Sequence, residues 1–150
     1  MEFPAALNGW TIYAHPCFSD AYHQLIASVE ALVLKHPDDY QKKKETKLLA
    51  HLLKAISGIT RDPRAPEYRP GGAIGENYTD WSRAKFGGQR YRLFFRYSYK
   101  QKIIVLAWVN DEDALRTYGK KTDAYRVFAK MLANNRPPDD WASLLKASQS

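Results

Sequence analysis

Between Trp81 and Val109 the chain carries no acidic residue, and its apolar and basic side chains alternate with the two-residue period of a strand. Ser82 to Phe86, Arg90 to Tyr97 and Lys102 to Val109 read as three short strands. Gly87-Gly88 joins the first two, because glycine takes the positive φ of a tight hairpin at little cost. Tyr99-Lys100-Gln101 makes the second connection, so the stretch predicts an antiparallel meander. Alternation then sorts the side chains. Arg83 and Lys85 share one face of the first strand, opposite Ala84 and Phe86. In the second strand Arg90, Arg92, Phe94 and Arg96 share a face, and Tyr91, Leu93, Phe95 and Tyr97 oppose them. The apolar face must pack under helices, which leaves Arg83, Lys85, Arg90, Arg92 and Arg96 on a face expected to meet water or a ligand.

The remaining segments supply those helices. Trp10 to Ala14 is aromatic and β-branched and reads as a strand ended by His15-Pro16. Ser19 is expected to cap a helix carrying Tyr22, Leu25, Ile26, Val29, Leu32 and Val33 at helical spacing, which stops near His36-Pro37. Asp38 or Asp39 would cap a second, with Leu48, Leu49, Leu52, Leu53 and Ile56 on its buried side and Gly58 at its end. Lys42, Lys43, Lys44 and Lys47 crowd its first half as a solvated face. Residues 60–80 are rich in Pro, Gly and charge and form a long loop, either an RNA contact or an insertion. A short helical piece follows through Leu115 and Tyr118. Thr122 or Asp123 caps a last helix with Tyr125, Phe128, Met131 and Leu132 on one face. Pro137-Pro138 ends the ordered part, Trp141 and Leu144 dock afterwards, and residues 142–150 read as a tail. The order predicts a single α+β domain over 1–150, in which the N-terminal strand and the meander form an antiparallel sheet packed on one face by helices.

Charge points to the partner. Lys plus Arg outnumber Asp plus Glu by 23 to 16, a net charge of +7, which favours nucleic acid, the ribosome or an acidic protein. A cluster of like charges repels itself unless a polyanion relieves it. Interleaved aromatics suit stacking on unpaired bases, and guanidinium offers bidentate contact with phosphate. A second basic group comprises Arg116, Tyr118, Lys120, Lys121 and Tyr125, where the four-residue spacing of Lys121 and Tyr125 would bring them together at a helix start. The single cysteine, Cys17, forms no disulfide within the chain and reads as a small buried hydrophobe. The four histidines, at 15, 23, 36 and 51, show no zinc-binding spacing, and no nucleotide-binding glycine loop occurs, so neither metal nor cofactor is expected. Asp38-Asp39 and Asp139-Asp140 read as acids at helix starts. With neither a signal sequence nor a membrane span in view, the cytoplasm is the expected location.

These residues resemble the YhaV toxin family, a branch of the RelE/ParE-type toxins. The likeness is carried by Asn8-Gly9-Trp10, Tyr13 to Phe18, Thr46 to Ala50, Asp80-Trp81-Ser82-Arg83, Lys85-Phe86-Gly87, Arg90 to Ser98, Asn110-Asp111-Glu112, Leu115 to Tyr125, Pro137-Pro138 and Asp140-Trp141. The resemblance implies a RelE-like microbial-ribonuclease fold and the toxin of a type II toxin–antitoxin system, which cleaves mRNA, generally on the ribosome. It implies an antitoxin of the PrlF kind with an AbrB-like DNA-binding domain, and a complex that represses its own operon at operator DNA. By position it assigns Arg83, Lys85 and Arg92 to the catalytic strand set, and Lys121 and Tyr125 to the terminal set. The expected reaction is attack of the 2′-OH on phosphorus, with Lys85 as base because its positive neighbours disfavour its charged form. Arg83, Arg92 and Arg96 would stabilise charge, and Tyr125 or Lys121 would donate the proton. Arg90, Arg96, Arg116, Tyr118 and Lys120 are the expected RNA contacts. Two rivals share these charges: a non-cleaving ribosome- or RNA-binding module, and a gyrase poison of the ParE type.

Overall fold

The computed structural model describes residues 1–117 and 120–149. The fold is α+β. Its strands are β1 (Ala5–Leu7), β2 (Trp10–Ala14), β3 (Ser82–Phe86), β4 (Tyr91–Ser98) and β5 (Ile103–Val109), in the sheet order β1-β2-β5-β4-β3. Its helices are α1 (Pro16–Lys35), α2 (Lys44–Ile59), α3 (Ala124–Ala133) and α4 (Trp141–Gln149). The expected meander is present, with β4 antiparallel to both β3 and β5.

The sheet is mixed where a purely antiparallel one was expected, because β2 pairs with β5 in parallel. The cause lies in where α2 ends. Asn8 Nδ2 donates to Thr60 Oγ1 (3.0 Å), so the chain leaves α2 beside the turn from which β2 starts. It re-enters the sheet in the direction of β2, and two hairpins later β5 runs alongside β2. An unexpected strand, β1, forms a hairpin with β2 through Asn8 and Gly9, both at positive φ (51° and 84°).

Helices cover both faces of the sheet, not one. Leu93, Phe95, Ile104 and Leu106 pack with Phe18 and Tyr22 of α1 and Leu52 and Ile56 of α2. Phe94, Val105 and Ala107 pack on the other side with Tyr125, Phe128 and Leu132 of α3 and Leu144 of α4. The reason is in the strands themselves. Leu93-Phe94-Phe95 and Ile103 to Val109 are continuous apolar runs, and alternation puts such runs on both faces. Register shifts between Phe94 and Phe95, which pair with Trp108 and Leu106, so Ala107 is an extra residue on β5. Phe128 stacks on Phe94 (4.2 Å between centroids) and fixes α3 over the basic side of the meander. Residues 142–150, expected as a tail, fall largely in α4, whose start is capped by Asp140 Oδ2 accepting from Ser143 N (2.9 Å). Asp39 precedes a short 3-10 turn, Tyr40–Lys42, and α2 starts later than expected, at Lys44. No helix among the described residues is long and apolar enough to cross a membrane.

The cap of α1 is His15, not Ser19. Its Nδ1 accepts from Cys17 N (3.0 Å), which requires an unprotonated Nδ1. Burial, assisted by the charge of Arg136, holds this imidazole below the ordinary histidine range. The unfolded chain therefore takes up the proton more readily than the folded one. Stability from this site is complete above the unfolded value and declines as pH falls below it. Between pH 7 and 5 the Tm of His15→Asn should fall less than that of the parent, since asparagine caps without titrating. An equal fall in both would remove His15 as a source of acid sensitivity.

Candidate active site

The site begins at the first turn of α3. Asp123 is its N-cap, and Oδ2 accepts from Tyr125 N (3.1 Å). Oδ1 accepts from Thr117 N (2.6 Å) and from Arg116 Nη1 (2.5 Å). Asp123 is only 2% exposed, so this carboxylate is a buried charge held by a guanidinium and two backbone amides. It thereby joins the segment after β5 to the start of α3 and places Arg116 over the ring of Tyr125, 4.6 Å from the centroid.

Tyr125 reaches across to the sheet. Its Oη accepts from Arg83 Nε (2.8 Å) and Arg92 Nε (3.0 Å), on neighbouring strands. Both guanidiniums are also tied to the backbone. Arg83 Nη1 donates to the carbonyl of Glu67, and Arg92 Nη1 donates to those of Gln89 (2.6 Å) and Tyr91 (3.1 Å). The main chain at Arg92 is held in turn by Asn110, whose Oδ1 accepts from Arg92 N (2.7 Å). Asn110 Nδ2 donates to the carbonyls of Arg90 (3.1 Å) and Ala114 (2.9 Å), closing the loop that leads to Arg116.

This geometry has a chemical consequence. A phenol oxygen has two lone pairs and one O–H. Two Nε–H donors fill the lone pairs, so the proton is the group Tyr125 has left to offer. Charge left on that oxygen after transfer falls between two guanidiniums. Lys85 is exposed on β3 directly opposite Arg92 and two residues beyond Arg83. An exposed amine and a buried phenol thus flank the pair of arginines.

The sequence-derived candidates separate into groups. Arg83, Arg92, Arg116 and Tyr125 come together, with Lys85 at their edge. Arg83 and Arg92 do not lie on an open face, as expected, but are 9% and 3% exposed, because α3 covers that side of the sheet. Arg96 is placed elsewhere. Its Nη1 donates to the carbonyl of Asp139, and its guanidinium lies 5.7 Å from the rings of Trp81 and Trp141, beyond Phe94. Arg90 is exposed and enters the network only through its carbonyl. Lys120 and Lys121 are exposed in the turn before Asp123. Helical spacing does not join Lys121 to Tyr125, since α3 starts at Ala124. Tyr118 lies outside the described residues. Asp123, read from sequence only as one of two possible caps, and Asn110, given no site role there, are the residues the sequence reading missed. Among the described residues no group of three or more His, Cys, Asp or Glu gathers as a metal site.

Arginines from two strands converge on one phenol in this small basic α+β protein, and guanidinium groups are well suited to phosphate esters. The chain matches, over residues 12–149, the family described as a toxin with endonuclease activity of a toxin–antitoxin system. It is 56% identical to Toxin YhaV of Escherichia coli O6:H1, over 99% of this chain and 98% of that protein. It is 54% identical, with the same coverage, to Ribonuclease toxin YhaV of Escherichia coli strain K12. No solved structure matches it significantly. The chain belongs to the YhaV toxin family, and so is an endonuclease toxin with an antitoxin as partner. The non-cleaving module and the gyrase poison give way to that activity.

Proposed function

We propose that this toxin cleaves mRNA on translating ribosomes by metal-free transphosphorylation. Lys85 acts as the base that takes the proton of a ribose 2′-OH. The 2′ oxygen bonds to the adjacent phosphorus, and the bond from phosphorus to the 5′ oxygen breaks. The proton of Tyr125 Oη passes to that leaving oxygen. The products are a 2′,3′-cyclic phosphate and a 5′-OH, and solvent returns the protons. Arg83, Arg92 and Arg116 stabilise the charge that builds on the phosphoryl oxygens. Lys120, Lys121 and Arg90 serve RNA binding around this centre, and Tyr118 is assigned the same role from the sequence. The observation that carries the reading is the Tyr125 hydroxyl, held as acceptor by two arginine Nε groups with only its proton free to give.

The ribonuclease named among the relatives supports RNA as the substrate. The RelE-type likeness supports the ribosome as the place of cleavage. The same likeness supports a PrlF-like antitoxin with an AbrB-type DNA-binding domain, a complex that represses its own operon, and a cytoplasmic site of action. The test is to map RNA ends in extracts with and without translating ribosomes. New 5′-OH ends that polynucleotide kinase can label are expected only with ribosomes. Ends bearing 5′-phosphate overturn the chemistry, and equal cleavage without ribosomes overturns the ribosome requirement.

A further inference from the structure

β3 is an edge strand, and its outer side pairs with no other strand. Between it and α2 lies a groove of about 630 Å³, within the range of ligand-binding sites. α2 contributes His51 and Lys54, the 3-10 turn Pro66–Tyr68 contributes Glu67 and Tyr68, and β3 contributes Arg83 and Lys85. The groove therefore opens from the residues placed at the cleavage centre.

Its chemistry is that of a polyanion track. Glu67 is the one carboxylate among its lining residues, against Lys54, Arg83 and Lys85. His51 and Lys54 are three apart on α2 and share a face, and Lys47, four residues earlier, continues the stripe. His51, Lys54 and Lys85 are exposed, and the side chain of none forms an ion pair or hydrogen bond among the described residues. Cations set side by side without counter-charges gain most from a backbone of phosphates. Tyr68 adds a ring steadied by edge contact with Phe95 (5.6 Å), and an aromatic beside a cationic groove is the usual platform for an unpaired base.

We infer that this groove binds the single-stranded RNA continuing from the cleaved linkage, with Lys54 and His51 as its contacts on α2. The inference rests on the RNA-cleaving reading above, and it assigns a binding role to two exposed residues of α2 that the charge pattern alone gave none. Both residues are exposed on α2, so substitution there leaves the packed side of the helix intact.

The test uses the full chain and a short fluorescent single-stranded RNA with 2′-O-methyl sugars, which binds but has no attacking hydroxyl. Anisotropy titrations across salt concentration compare the parent with Lys54→Glu and His51→Ala, and antitoxin binding serves as the control for folding. Lys54→Glu should weaken binding at least tenfold at low salt. It should also make the salt dependence shallower by about 0.7 in log–log slope, the value of one phosphate contact on a single strand. His51→Ala should weaken binding several-fold, and Tyr125→Phe, assayed separately on mRNA in translating extracts, should lose cleavage. Parental affinity and slope in Lys54→Glu and His51→Ala overturn the groove, as does a parent chain that fails to bind the RNA. Normal cleavage by Tyr125→Phe overturns the assignment of the acid instead, so the two failures are distinguishable.

Discussion

Tyr125→Phe is expected to lower RNA cleavage by about 10²- to 10⁴-fold, the usual contribution of a positioned proton donor. The substitution keeps the ring that Arg116 covers and that packs edge-on against Phe94 (5.6 Å), so α3 stays seated. It removes the acceptor of two buried Nε–H groups, which costs about 1–3 kcal/mol of stability for each donor left unpaired. The signature is thus a large loss of cleavage with a moderate loss of Tm and retained antitoxin binding. Lys121→Ala separates the two candidate donors, because Lys121 is exposed and outside α3. It should cleave within a few-fold of the parent. Near-parental cleavage by Tyr125→Phe together with a collapse in Lys121→Ala would reverse their roles.

The second large effect belongs to Asp123→Ala. Its carboxylate is the buried ion-pair partner of Arg116 and the cap of α3, so its removal takes the counter-charge from a guanidinium that is itself only 15% exposed. Breaking a buried pair on one side typically costs about 3–5 kcal/mol, and losing the cap adds about 1 kcal/mol. Cleavage should fall as well, since Tyr125 and Arg116 lose their common anchor. Asp123→Asn keeps the shape and an acceptor but not the charge, and should lie between. Urea unfolding measures the first effect and RNA-end mapping the second. An Asp123→Ala chain within about 1 kcal/mol of the parent would show that the ion pair is not what holds the start of α3.

The meander was legible because period-two alternation and Gly87-Gly88 act locally. Gly87 adopts φ +57° there, and a Cβ would meet Tyr91 at 2.8 Å. The N-terminal hairpin was equally local, for Asn8-Gly9 is a two-residue turn signal, yet the reading, which correctly began β2 at Trp10, placed no strand before that turn. What sequence spacing could not supply was the environment of the arginines. Alternation assigned Arg83 and Arg92 to one face correctly, but their burial depends on α3 crossing that face. The hint lay in Ile103 to Val109, an unbroken apolar run that no one-sided sheet needs. The convergence on Tyr125 joins residues 42 and 33 positions apart, and no local pattern encodes such a distance. Asp123 was visible as a cap, but its grip on Arg116 depends on how the segment after β5 folds back.

Because helices close over both sides of the sheet, most of the groups proposed to react are also part of the interior. In a population selected to survive the toxin, changes at Arg83, Arg92, Asp123 or Tyr125 should therefore disarm the molecule and deplete it together. Few such changes will leave an intact, inert protein that still occupies the antitoxin. The innocuous decoys should come from the exposed rim, at positions such as Lys85, where chemistry and packing are separate.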